Sequence, residues 1–201
     1  VITTKKDGAW VVEVNPEINP KIKINKMYEG LLSDVKNKKD LEYIKSNLQD
    51  AKFFLKALNN RNLTIHRVAK VIMKKQEDFL THGEIALKPL VLRDISSILN
   101  LHESTISRST SNKYIQTPRG VYELKYFFSS EIKTDYGKKL SSITIKEMIK
   151  KLINNEDARS PLSDSQISKS FSDNGIKVAR RTITKYRESM SIPSSTDRRL
   201  K

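Results

Sequence analysis

The chain has 201 residues, of which 37% are hydrophobic and 30% are charged, and its formal net charge is +15. This low apolar content favours small helical modules over one thick core. The positive charge indicates a polyanionic partner, nucleic acid first and an anionic membrane surface second. Cysteine is absent, which excludes disulfides and thiolate metal sites, and no apolar run approaches the roughly 20 residues of a membrane span. The chain starts at Val1 in mid-pattern, so we expect it to be part of a longer protein.

The first predicted elements are a strand and a long helix. Residues 10–16 are rich in β-branched side chains and end at a proline, which predicts a small β element. Further on, apolar or small side chains recur in steps of three and four, interrupted at Asn62 and Gln76. The spacing stays in phase through the polar residues 59–62, so we predict one helix over residues 40–80, roughly 60 Å long. The heptad-like spacing also fits a coiled-coil dimer, and this alternative stays open.

Residues 92–108 fit a helix-turn-helix template. Ser96 is the small residue where the two helices cross, Asn100 takes the turn position that needs a positive φ, and Ile106 is the buried anchor of the second helix. Many other two-helix packings share this apolar pattern. The polar side chains that we expect to face DNA from this unit are those of His102, Ser104, Thr105, Ser107, Arg108 and Lys113.

A polar stretch, residues 131–141, is interpreted as a linker, because it carries a glycine and several charges. Apolar spacing then predicts three short helices near residues 142–154, 163–171 and 178–191. Residues 194–201 are polar and basic, and we expect them to form a mobile tail.

The last two of these helices form a second helix-turn-helix, with a longer turn than the first. A capping box at Ser163 and Gln166 opens one helix, and Ile183, Tyr186 and Met190 form an apolar stripe on the other. Tyr186 fits a core position as well as a DNA contact. The start of the last helix is cationic, and Arg donates bidentately to guanine O6 and N7 in a major groove. The predicted fold class is mainly α: a multi-domain helical chain with a long helix, two helix-turn-helix modules and a small β element near the N-terminus.

Two segments resemble signatures of bacterial sigma-54, the nitrogen-type sigma factor of RNA polymerase. Residues 179–188 differ from the family's RpoN box at Ile183 and Thr184 alone. Residues 101–108 match the helix-turn-helix signature Leu-His-Glu-Ser-Thr-Val-Ser-Arg except at Ile106. A match of this length in the RpoN box is a highly specific signal, and weaker similarity extends to most of the chain.

The resemblance implies a division of the chain into functional parts. It assigns residues 1–38 to the C-terminal part of an RNA polymerase core-binding domain, 39–86 to an extra-long helix, 87–130 to a helix-turn-helix domain for the minus-12 promoter element, 131–141 to a linker and 142–201 to an RpoN-box domain for the minus-24 element. The two elements lie about one helical turn apart, roughly 10–10.5 bp, and we expect the linker to set the separation of the two modules.

By the same resemblance, Arg108 contacts the minus-12 element, and Arg180, Arg181 and Lys185 contact the GG of the minus-24 element. Thr182, Tyr186 and Arg187 are expected to hold register through phosphates or packing. The full set of DNA-binding residues implied for the RpoN box is Ala179, Arg180, Arg181, Thr182, Thr184, Lys185, Tyr186 and Arg187.

The function implied is that of a transcription initiation factor in the bacterial cytoplasm, associated with the nucleoid. Its expected partners are promoter DNA, core RNA polymerase and an AAA+ activator, which would act through a region absent from the printed sequence. The three histidines lack metal-ligand spacing, and nucleophile elbows, phosphate-binding glycine loops and acid-base dyads are missing from the sequence. We therefore expect no metal, no cofactor and no enzymatic activity. The alternatives are a dimeric helix-turn-helix repressor or architectural DNA-binding protein, and a basic RNA-binding protein.

Overall fold

The structure is a computed structural model that describes residues 1–17, 22–28, 30, 37–129, 131–133 and 139–199. The architecture is mainly α with small sheets, which confirms the predicted fold class. The helices are α1 (Lys38–Lys75), α2 (Glu77–His82), α3 (Leu92–Leu99), α4 (Glu103–Thr110), α5 (Ser142–Asn154), α6 (Asp164–Asp173), α7 (Arg180–Ser189) and α8 (Ser195–Arg198). The strands are β1 (Ile2–Lys6), β2 (Ala9–Glu13), β3 (Tyr114–Thr117), β4 (Gly120–Glu123), β5 (Glu131–Lys133) and β6 (Lys139–Ser141), and 3₁₀ turns cover Glu84–Ala86 and Leu124–Phe127.

The long helix α1 runs unbroken through the polar residues 59–62, as its apolar spacing predicted. Its first turn is capped by Asn37, whose side chain accepts a hydrogen bond from the backbone of Lys39 at 3.1 Å. The helix ends at Gln76, so the prediction of one continuous helix to residue 80 is wrong there. The Gln76 side chain is fully buried and makes two hydrogen bonds to the backbone of Lys88. A buried amide with such partners explains why the apolar stripe is interrupted at this position.

One hydrophobic core joins the C-terminal half of α1, α2, the α3–α4 pair and a four-stranded sheet. The sheet order is β2-β1-β3-β4, in which β1 pairs in parallel with β3 through Ile2 and Gln116. His66 hydrogen-bonds to the Val12 carbonyl at 2.8 Å and ties β2 to α1. The predicted division at residues 38 and 86 is therefore not a division in packing, and as a division of function it stays a prediction.

An aromatic cluster lies at the end of this core. The ring of Phe79 meets Tyr122 and Phe127 edge to face, with centroids 5.3 and 5.2 Å apart, a geometry that aromatic quadrupoles favour. The aromatic-rich residues 121–128, which follow α4 in the chain, thus pack back on the preceding helices. We name the unit of β1–β4 and α1–α4 the first module.

A second, smaller core joins α5, α6 and α7, which together with α8 form the second module. The three predicted helices lie within two residues of their expected ends. The core residues come from apolar positions at helical spacing: Ile145, Ile149, Ile167, Phe171, Val178 and Ile183.

The predicted linker is a hairpin in its described part. Strands β5 and β6 pair antiparallel, so Glu131 lies opposite Ser141 and the chain returns to where it left the first module. Residues 134–138 of the linker lie outside the described residues.

The predicted mobile tail is wrong for residues 194–199. Arg198 of α8 is mostly buried and makes two hydrogen bonds to the carboxylate of Glu156, at 2.7 and 3.1 Å, and one to the Leu162 carbonyl. This ion pair holds the segment against the second module. Residues 200 and 201 lie outside the described part of the chain.

Candidate nucleic-acid interface

The first candidate recognition helix is α4, and the turn before it has the predicted conformation. Asn100 has φ 53° and ψ 43°, in the left-handed region that Asn adopts more readily than most residues. The Ser96 hydroxyl donates to the Leu101 carbonyl at 2.7 Å, which fixes the path of the chain from α3 to α4. Ile106 is fully buried, as predicted. Residues 92–110 therefore form two short helices joined by a tight turn, the arrangement that a helix-turn-helix requires.

The residues predicted for this unit lie on α4, directly before it (His102) or shortly after it (Lys113). His102 precedes the helix and caps it, because its Nδ1 accepts the backbone N–H of Ser104 at 3.2 Å. His102, Ser104 and Arg108 are exposed, while Thr105 and Ser107 are half-buried. The geometry thus leaves polar side chains and one arginine available to a ligand.

A shallow cleft beside α4 brings in a cation that the sequence did not indicate. Thr105, Arg108 and Lys113 line it together with Arg61, which comes from the middle of α1. The Lys113 ammonium donates weakly to the carbonyls of residues 111 and 112 at 3.4 and 3.3 Å. Three cations on one cleft suit a phosphate group. No local pattern could mark Arg61, because the other two cations of the cleft are more than forty positions away in the sequence.

The second candidate recognition helix is α7, reached by a turn that is longer than the first. The Ser163–Gln166 capping box is confirmed: the Gln166 backbone donates to the Ser163 hydroxyl, and the Ser163 backbone donates to the Gln166 side chain. Gly175 takes φ 73° in the turn. The Ser168 hydroxyl then donates to the Val178 carbonyl at 2.8 Å and positions the start of α7 against α6.

The first turn of α7 concentrates positive charge. Arg180, Arg181 and Lys185 are exposed, and with Ala179, Thr184 and Glu188 they line one open depression. Ala179 takes the capping position and its side chain cannot accept a hydrogen bond, so backbone N–H groups of the first turn remain available. The positive end of the helix dipole adds to the two guanidinium charges. Such an end binds anions, and phosphate in particular.

The structure places Arg187 inside the second module. Its guanidinium donates to both carboxylate oxygens of Asp164, at 2.9 and 3.2 Å, and to the Ile192 carbonyl at 2.7 Å, and its side chain is 7% exposed. Of the two roles expected for Arg187, phosphate contact and packing, the structure supports packing. A DNA contact by this side chain stays an untested prediction, which its burial and its hydrogen bonds within the fold disfavour.

Asp164 also positions Thr184, whose hydroxyl donates to the same carboxylate at 2.8 Å. Burial alone would raise the pKa of Asp164, but the hydrogen bonds from Arg187 and Thr184 and the guanidinium charge outweigh it, and the pKa is lowered. The hydrogen bond to Asp164 in turn raises the pKa of Arg187. Sequence reasoning missed Asp164, since its partners lie 20 and 23 positions further along the chain.

Tyr186 and Thr182 are half-buried and flank the exposed face of α7. Tyr186 packs against the second core, and the Lys146 ammonium lies 5.5 Å from its ring centroid, a cation–π contact. The core alternative for Tyr186 therefore has structural support. Among the residues that the structure describes, no three metal-ligating side chains come together, and no helix is long and apolar enough to cross a membrane.

Paired helices with an exposed cationic second helix are typical of helical proteins that bind duplex DNA. Comparison with known proteins identifies one family within this class of DNA-binding proteins. Residues 41–200 match the family described as "Sigma-54, DNA binding domain". The chain therefore belongs to the sigma-54 family.

Several relatives match almost the whole chain. It is 50% identical over 199 residues to an RNA polymerase sigma-54 factor of Shewanella violacea, covering 99% of this chain and 40% of that protein. It is 47% identical over 199 residues to the sigma-54 factor of Escherichia coli K12, covering 99% and 42%. A crystal structure of Aquifex aeolicus sigmaN bound to promoter DNA is similar, with a TM-score of 0.62 and 35% identity over 98% of this chain and 59% of that one. The chain spans about two fifths of the length of the curated relatives that it matches.

Proposed function

We propose that the chain is the DNA-binding part of a sigma-54-type transcription initiation factor, and that one copy binds promoter DNA through α4 and α7. The observation that carries the proposal is the exposed start of α7. There Arg180 and Arg181 face solvent, while Ile183 and Arg187 hold the other side of the helix in the second module. The relative solved on promoter DNA supports duplex DNA as the ligand.

On this proposal α7 recognises the minus-24 element and α4 the minus-12 element. Arg180, Arg181 and Lys185 are the leading contacts to the GG, because guanine presents two acceptors that suit a guanidinium. Arg108 is the leading contact at the other element, and Arg61 beside it binds the phosphate backbone. Phosphate contacts orient the protein, whereas base contacts give specificity.

We further propose that the chain binds core RNA polymerase through its N-terminal part and α1, and that an AAA+ activator drives open-complex formation. Support comes from the first half of α1, where Tyr43 and Phe54, 72% and 57% exposed, line one mostly apolar groove. Large exposed apolar side chains that lie close together mark protein contact surfaces. The place of action is the bacterial cytoplasm, at the nucleoid.

A competition experiment tests DNA recognition. The full chain is titrated with a labelled duplex that carries both elements, and unlabelled competitors are added at matched salt, because affinity for nucleic acid depends strongly on salt. We expect the unlabelled promoter duplex to compete better than a scrambled duplex and better than structured RNA. Equal competition by the scrambled duplex would sink the promoter proposal, and stronger competition by RNA would favour an RNA-binding protein.

The exposed aromatic side chains on α1 also favour a second candidate, a repressor or architectural protein that dimerises through this helix. Sedimentation at micromolar concentration separates the two candidates. A monomer supports the initiation factor, and a stable dimer supports the second candidate.

A further inference from the structure

The two modules are docked on each other through residues 83–90, here named the bridging segment. Its 3₁₀ turn, Glu84–Ala86, lies against the start of α5. Thr144, in the first turn of α5, is fully buried there. Its hydroxyl donates to the Leu87 carbonyl at 2.9 Å and lies 3.3 Å from the Glu84 carbonyl. A side chain of the second module thus bonds to the backbone of a segment that packs into the first core.

The hydrogen bonds around Thr144 form one connected network from Ser141 to Leu87. The Ser141 hydroxyl accepts the backbone N–H of Thr144 at 2.9 Å and lies 2.8 Å from the Thr144 hydroxyl. A hydroxyl has one proton to donate, so Ser141 donates to Thr144, and Thr144 donates to Leu87. The helix cap of α5 and the contact between the modules therefore share one buried network. Removal of the Thr144 hydroxyl would leave the Ser141 hydroxyl proton without its acceptor and the Leu87 carbonyl without this donor, both at buried sites, which is costly.

The bridging segment is fixed to the first module at several points. The buried Gln76 amide donates to the Lys88 carbonyl at 2.7 Å and accepts the Lys88 N–H at 2.9 Å. The Ser129 N–H donates to the Leu90 carbonyl at 3.2 Å. Tyr126 of the first module hydrogen-bonds to Glu84: burial, that hydrogen bond and the charges of Glu84 and Glu147 raise its pKa. Glu147 belongs to α5, so this tyrosine also lies close to the second module.

The hairpin of β5 and β6, in contrast, does not act as a spacer between the two modules. Because Glu131 lies opposite Ser141, the hairpin returns the chain to its starting point. A longer hairpin loop would leave both ends of this pair where they are. The expectation that a linker over residues 131–141 sets the separation of the modules therefore lacks a structural basis, and the docked contact takes that role.

We propose that Thr144 is a positioning residue that fixes the separation of α4 and α7, and with it the spacing of the two DNA elements that the chain accepts. This inference rests on the proposed function, in which both helices bind one duplex. Each base pair added between the elements moves them apart by about 3.4 Å and rotates them by about 35°. A rigid pair of modules cannot follow such a change, whereas an undocked pair can.

The binding test uses the full chain and a series of duplexes whose element spacing differs from the family's by up to two base pairs. For the unmodified chain we expect an affinity loss of about tenfold or more at wrong spacing, since one lost bidentate base contact has that effect. In Thr144→Val, which keeps the shape and removes the hydroxyl, we expect the ratio between right and wrong spacing to fall towards one. Thr144→Ser keeps the hydroxyl and should retain the original ratio. A four-residue Gly-Ser insertion between residues 133 and 139 should leave the preferred spacing unchanged.

A distance measurement between the two modules tests their docking even where a variant binds DNA weakly. The chain has no cysteine, so Ser97→Cys on α3 and Lys169→Cys on α6, both at exposed positions, accept a pair of spin labels. We expect a narrow distance distribution in the original chain and in Thr144→Ser, and a broad one in Thr144→Val with its helical signal retained. A narrow distribution in Thr144→Val, or a preferred spacing that shifts with the loop insertion, would overturn the inference. If the original chain binds every spacing and scrambled DNA equally, the proposed function fails, and the label distances still test the docking.

Discussion

The two candidate recognition helices are held in place by different interactions. Helix α4 packs through Ile106 on the first core, and the hydroxyls of Ser109 and Thr110 bond to backbone carbonyls of its own helix. Helix α7 packs through Ile183 and is also bonded to α6 by the buried Asp164–Arg187 pair. The first arrangement depends on apolar burial, which does not change with pH. The second depends on a carboxylate that must stay ionised.

The two helices also show that the cationic side chains of this chain have different roles in the fold, some exposed and some buried. Within α7, Arg180, Arg181 and Lys185 remain at the surface, while Arg187 is used inside the module. Net charge therefore indicates the kind of partner, but burial decides which cations can meet it.

The largest effect is expected from Arg187→Ala, which leaves the mostly buried carboxylate of Asp164 without its arginine partner. Loss of one member of a buried ion pair costs about 3–5 kcal/mol of stability. The single tryptophan, Trp10, packs on the first core, so its fluorescence follows the first module, while circular dichroism follows all helices. In a urea titration we expect the helical signal to be lost at lower urea and the Trp10 transition to change little. Arg180→Ala, at an exposed position, is the control, and equal stability of the two variants would contradict the role of the pair.

Ile106→Ala should weaken the first module by about 2–5 kcal/mol, because it removes apolar contacts and leaves a cavity in the core. The Trp10 transition should move to lower urea in this variant, by the same amount at neutral and at mildly acidic pH. Ile98→Ala is a matched control on α3, where the side chain is 52% exposed. Similar losses in both variants would show that α4 is not held by apolar burial.

Acid should affect the second module before the first. The folded-state pKa values of Asp164 and Glu156 are lowered from ordinary values of 3.8 and 4.5, in both cases because hydrogen bonds from arginine outweigh the effect of burial. A lowered carboxyl pKa contributes stability that is fully present above the ordinary pKa and is lost as pH falls through the lowered one. Below pH 4.5 we therefore expect the helical signal to fall before the Trp10 signal. The reverse order would contradict this assignment. The loss should be smaller than in Arg187→Ala, because a protonated carboxyl still accepts a hydrogen bond.

Arg181→Ala is expected to change binding and to leave stability almost unaffected. If its guanidinium donates to guanine, affinity for the specific duplex falls by about 1–3 kcal/mol and preference at that base pair relaxes. Fluorescence anisotropy with specific and scrambled duplexes measures both effects. Lys150→Ala, which removes one exposed charge from α5, should leave the ratio of specific to scrambled affinity unchanged. Equal weakening on both duplexes by Arg181→Ala would show that this arginine does not read a base.

Much of the fold was predictable because its signals are local. Helical spacing marked α1 through residues 59–62, Asn100 marked the turn of the first helix-turn-helix, and Ser163 with Gln166 marked the start of α6. Each of these features depends on residues within a few positions of each other, so the sequence carries them in readable form. The family resemblance is likewise a property of contiguous segments.

Tertiary structure alone decided which partners particular polar side chains bind. Asp164 and Arg187 are 23 positions apart, Glu156 and Arg198 are 42 apart, and Leu87 and Thr144 are 57 apart. The same arginine on a helix can donate to a phosphate or to a buried carboxylate, and local pattern does not distinguish these cases. The sequence by itself indicated most of the helices, the turns before the two candidate recognition helices and the family. Folding determined which cations remain at the surface and how the two modules are held together, because those outcomes depend on partners that only the fold brings within hydrogen-bonding distance.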